Sequence, residues 1–135
     1  SPASLEPHHP DLMWYGVHGV EILFAAMGAE CEQIRRIYQD GTDFVVGEWA
    51  DGRIGTFRGI RDGKGRYGAT VYFEKDVLHL TPDTGSLYAH LMKEILKFFK
   101  TGKAPIPQEE TVAMFEFMEA ADKSRANGGE VVKLR

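Results

Sequence analysis

The chain has 135 residues, 43% of them hydrophobic and 27% charged, which suits one ordinary domain with a real core (residues 1–135) and leaves too little for two. Its formal charge of -4, from 16 basic and 20 acidic residues, argues against nucleic acid or an anionic membrane as a partner, since both call for a basic patch. Cys31 stands alone, so no disulfide framework and no cysteine zinc site is expected, and no apolar run approaches the ~20 residues of a membrane span.

Residues 1–10 are rich in proline and histidine and show no periodicity, as in a loop within a longer polypeptide. Any targeting signal would then lie upstream, and a cytoplasmic location is the default expectation. Residues 13–28 read as a first helix: Val17, Val20, Phe24 and Met27 recur at three- and four-residue spacing, Gly28 supplies the stop, and Asp11 is a fair N-cap. The period then changes. Residues 33–39, 43–49, 54–60, 67–74 and 77–80 are short β-branched or aromatic runs separated by Asp40-Gly41, Asp51-Gly52, Asp62-Gly63 and Lys75-Asp76. Links this short permit antiparallel neighbours and exclude parallel crossovers, so a meander is expected.

Two further helices follow. Residues 86–100 place Leu87, Leu91, Ile95 and Phe98 on one stripe, and Thr101-Gly102 ends the run. Residues 108–126 start acidic at Glu109 and Glu110 and finish basic at Lys123 and Arg125, as the helix dipole favours. Asn127-Gly128-Gly129 stops that helix, and residues 131–134 return as an edge strand. The expected fold is α+β, an open antiparallel sheet of about five to six strands with helices packed on one face. Neither parity of the strand residues is cleanly polar: Phe44, Val46, Ile54 and Ile60 compete with Val45, Trp49 and Phe57. A sheet covered on one side and amphipathic on the other is a candidate surface for a homo-oligomer.

Among the motifs, Gly63-Lys64-Gly65-Arg66-Tyr67-Gly68 fits G-x-G-x-x-G. A dinucleotide site needs those glycines to leave a strand and open a helix. Here they lead into strand-like Ala69–Phe73, and a hairpin loop is the expectation. Arg58, Arg61, Lys64 and Arg66 surround the same turn and read as a solvated tip. His8, His9, Asp11, His18 and Glu21 are of ligand type for a divalent metal, but adjacent His8 and His9 cannot easily converge, so no metal ligands are assigned. His18 stands out. It lies on the first helix between Gly16 and Gly19, and an imidazole there would relay a proton to or from a hydroxyl. The bland alternative is a satisfied core histidine.

Trp14-Tyr15-Gly16-Val17-His18-Gly19-Val20-Glu21 begins an ordered set of short segments. Trp49-Ala50-Asp51-Gly52-Arg53-Ile54-Gly55-Thr56, Arg58-Gly59, Glu94-Ile95, Phe98-Phe99-Lys100-Thr101-Gly102, Glu109-Glu110-Thr111, Phe117-Met118-Glu119-Ala120-Ala121 and Ser124 continue it. Together they resemble the C-terminal domain of the glucose–fructose oxidoreductase, inositol dehydrogenase and rhizopine-catabolism (Gfo/Idh/MocA) family, over nearly the whole chain. The resemblance implies a parent with an N-terminal Rossmann domain that binds NAD or NADP, and no cofactor held by this chain. It implies a carbohydrate-like small-molecule substrate, with His18 as the catalytic proton carrier and Trp14, Tyr15, His8 and His9 lining the substrate pocket. It also implies a homo-oligomer joined through the sheet face. Many members carry D-x-x-x-H; His18 matches that histidine, and Trp14 stands where the aspartate would be. Two other readings remain: a non-catalytic assembly module of the same fold, and a metal-dependent sugar enzyme.

Overall fold

A computed structural model describes residues 1–83 and 85–134. A 3-10 turn at Asp11–Met13 leads into α1 (Gly16–Met27). The strands β1 (Cys31–Gln39), β2 (Thr42–Trp49) and β3 (Ile54–Ile60) follow, then β4 (Ala69–Tyr72) and β5 (Val77–Leu80), α2 (Leu87–Thr101), α3 (Gln108–Ala126) and β6 (Val132–Lys133). The fold is α+β, as the alternation of periods indicates. Its main sheet has the order β3-β2-β1-β6 and is antiparallel throughout, while β4 and β5 form a separate two-stranded ribbon. The expected five-strand meander therefore breaks after β3, where the glycine-rich loop of residues 61–68 carries the chain off the sheet.

Strands β2 and β3 alternate cleanly. Asp43, Val45, Gly47 and Trp49 of β2 face inward with Gly55, Phe57 and Gly59 of β3. The mixed parity of the sequence has a simple cause: inward positions include an aspartate and three glycines, and outward ones include Phe44 and Ile54. A register shift between Cys31 and Gln33 sets β1 in phase with its neighbour.

Helices α1 and α3 cover the inner face. Phe24 of α1 meets Trp49 and Phe117 edge-on at ring distances of 5.8 and 5.5 Å, a favoured aromatic geometry, and the Trp49 indole donates to Gly28 O at 2.9 Å. Close approach is set by Gly19, where a Cβ would stand 2.5 Å from the Phe57 ring. Gly28 ends α1 at φ 76, its N–H donating to Phe24 O at 2.7 Å. Residues 1–3 run beside β3, with Ala3 N–H donating to Ile60 O and Ile60 N–H to Ser1 O.

Helix α2 departs from expectation. It has the predicted apolar stripe, yet none of its residues is buried, and it makes no extensive contact with another described element. Only two of the three helices cover the sheet. The outer face is open, its central rows being Ile37–Phe44–Arg58 and Arg35–Val46–Thr56 across three strands.

Candidate functional site

The site begins with a buried arginine. Arg36 of β1 is fully enclosed, which is tolerable for a guanidinium only if carboxylates pair with it. It donates to Asp43 of β2, to Asp122 of α3 and to Asp11, each at 2.8 Å. Arg61 also donates to Asp43 and Arg125 to Asp11, so three cations meet three anions. The three guanidiniums gather over the Tyr38 ring, at 5.4, 4.9 and 3.5 Å from its centroid. Burial alone lowers the Arg36 pKa, but Asp43 and Asp11 outweigh it and the net shift is upward. Burial and then the Asp11 charge raise that of Asp122, against the pull of Arg36.

This network corrects the helix start. Asp11 is drawn into ion pairs with Arg36 and Arg125 and does not cap α1, whose N-cap is Tyr15 with no side-chain hydrogen bond. It thereby pins the 3-10 turn that precedes Trp14 and Tyr15. From there an aromatic row runs across the surface. His9 lies 4.7 Å from Trp14, Trp14 5.8 Å from Tyr15, Tyr15 6.2 Å from His18, and His18 5.8 Å from Tyr67. Trp14 and Tyr15 are 40% and 43% exposed, so part of each side chain is open to solvent.

Four of the five expected site residues, His9, Trp14, Tyr15 and His18, thus converge. His8 does not. Its side chain is 87% exposed and 4.0 Å from Glu6, outside the row. His18 is no core histidine either: it sits half exposed on the outer side of α1, Nδ1 at 3.0 Å from Glu21 Oε2. Glu6 accepts from His9 at 2.5 Å, and that hydrogen bond lowers the Glu6 pKa.

Tyr67 was not among the expected site residues. It arrives from the loop before β4, and its phenol pKa is raised by burial, then by Tyr15 and Glu21. The glycine run Gly63–Gly68 enters a strand, not a helix, and offers no dinucleotide turn, but it carries Tyr67 to His18. The only hint in sequence is an aromatic residue behind a basic, glycine-rich loop.

An open cleft of about 370 Å³ adjoins the row, lined by Leu5, Glu6, Pro7, His9, Asp11 and Arg125. A second, of about 430 Å³, lies among Gly41, Thr42, Arg58, Ile60, Asp62 and Lys64 and holds no imidazole. We place the site at the row, because that is where an acid–base group, hydrogen-bonding carboxylates and exposed rings meet. Among the described residues no three or more His, Cys, Asp or Glu side chains converge as metal ligands. The fold and row define an α+β domain bearing an open aromatic–histidine surface. No family model matches the chain, and no curated protein matches it.

Proposed function

We propose that this chain is the substrate-side, oligomer-forming C-terminal domain of an NAD(P)-dependent oxidoreductase of the Gfo/Idh/MocA type, acting on a sugar, polyol or related hydroxyl compound. The observation that carries the reading is the row His9–Trp14–Tyr15–His18–Tyr67 with Glu21 beside it. A pyranose or cyclitol has apolar C–H faces and a polar rim. Aromatic faces cover the first, and phenols, imidazoles and carboxylates bond the second. The row lies on an open surface, an arrangement suited to a site that a companion domain completes.

The glycine run Gly63–Gly68 leads into a strand and not a helix N-terminus, so in this reading the cofactor belongs to that companion. A bound nicotinamide would supply hydride chemistry. The residues here act on the hydroxyl side: Trp14 and Tyr15 hold the ring, and His18 accepts the hydroxyl proton.

D-glucose and myo-inositol, titrated into the ¹⁵N-labelled chain, should shift the Trp14 indole signal, and Trp14→Ala should weaken binding by roughly tenfold or more. An unmoved Trp14 signal with both probes at ~100 mM would sink the proposal, since that corresponds to less than about 1.4 kcal/mol at the 1 M standard state. In a full-length parent, His18→Ala should lower kcat by roughly 10²-fold. Normal turnover would remove His18 from the chemistry.

The open outer sheet face favours a second reading, an assembly module without chemistry. Both readings expect self-association, and light scattering tests that part. A strict monomer at high concentration counts against the sheet-face oligomer.

A further inference from the structure

We infer that Glu21 is a positioning residue for His18, holding its imidazole as the Nδ1–H tautomer so that Nε2 is the nitrogen offered to a substrate hydroxyl. The inference rests on the reading of His18 as the proton acceptor, but its geometry stands apart from it. His18 Nδ1 lies 3.0 Å from Glu21 Oε2. A carboxylate only accepts, so the proton of that hydrogen bond resides on Nδ1. A neutral imidazole carries one N–H, and Nε2 is left with its lone pair free to act as base.

Three constraints maintain this arrangement. The two residues are three apart on α1 and share a face. The opposite face of α1 is fixed, with Val20 and Phe24 fully buried and Gly19 close against Phe57, so the helix cannot easily roll. Tyr15 and Tyr67 flank the imidazole, each near-perpendicular to it at 84° and 86°, which restricts rotation of the ring. Aromatic neighbours fix the plane, and Glu21 decides which nitrogen keeps the proton. An unconstrained histidine side chain favours the opposite, Nε2–H form. Both partners are half exposed, so the bias is modest.

Long-range ¹H–¹⁵N correlation spectra of the labelled chain, recorded at about pH 8.5 where imidazoles are neutral, read the tautomer directly. The native chain should show a pyrrole-type Nδ1 and a pyridine-type Nε2 at His18. Glu21→Ala leaves an excellent helix former at an exposed position, so the fold should persist. It should move the tautomer ratio toward Nε2–H by roughly three- to fivefold. Tyr67→Leu removes a ring contact and spares the carboxylate, and should leave Nδ1–H dominant. An Nε2–H form in the native chain, a ratio unmoved by Glu21→Ala, or a reversal by Tyr67→Leu equal to that of Glu21→Ala would overturn the assignment. Sugar titration read at Trp14 is independent of these spectra, so the functional reading and the role of Glu21 can fail separately.

Discussion

Replacing Arg36 by methionine tests what holds the site-bearing turn to the domain. Methionine fills much of the same volume but removes the one cation shared by Asp11, Asp43 and Asp122, each bonded to Arg36 at 2.8 Å. Asp43 would retain Arg61 and Asp11 would retain Arg125, whereas Asp122 would lose the partner it bonds at 2.8 Å. Removing one member of a buried ion network costs roughly 3–5 kcal/mol. The Asp122 side chain is 32% exposed and partly rehydrates, so the lower part of that range, about 3–4 kcal/mol, is expected. With an unfolding entropy of ~2.1 cal/mol/K per residue, the melting temperature should fall by roughly 10–14 °C. Circular dichroism melts and urea titrations at neutral pH measure both quantities. A loss under about 1 kcal/mol would show that desolvation of Arg36 cancels its attraction to the carboxylates, and would refute the anchoring argument.

Burial pushes the Cys31 thiol up to about 11 from 9.0, so native protein at pH 8 should react with iodoacetamide at least 100-fold more slowly than urea-unfolded protein. Comparable rates would mean that β1 opens readily at its start. The raised pKa of Asp122 makes the native state bind more protons than the unfolded state between the ordinary carboxylate value and the raised one. The stability of the native chain relative to Asp122→Asn should therefore fall as pH rises through that window and level off above it. A difference that grows with pH would reverse the assigned sign.

Strong periodicity and local turn chemistry were readable directly: the bounds of β3, β5 and α3 match the expected ones residue for residue. The start of α1 was not, because Asp11 answers to arginines 25 and 114 residues away, which local spacing cannot reveal. Arg36 is adjacent to Arg35 in the chain, with nothing local to tell them apart, and only the fold shows one buried and the other exposed. Within the site, the first-helix residues could be named because they are neighbours in the chain. Tyr67 comes from a loop whose path depends on where β3 ends, and no pattern in the sequence fixes that path onto His18. The exposure of α2 was equally illegible, since an amphipathic stripe indicates that a helix wants a partner without saying that its own domain provides one.

Helix α2 also sets two timescales within one molecule. A free 15-residue helix is marginal in water, and none of the α2 residues is buried. Its amides should exchange with deuterium by local fraying, in a regime insensitive to core variants such as Arg36→Met. Those of α3, whose Phe117, Met118 and Ala121 are fully buried, should exchange only when the whole domain opens. The segment that gains most in order from a binding partner is thus the one whose loosening least disturbs the domain, and slowed exchange confined to α2 would be the direct sign that a partner has docked there.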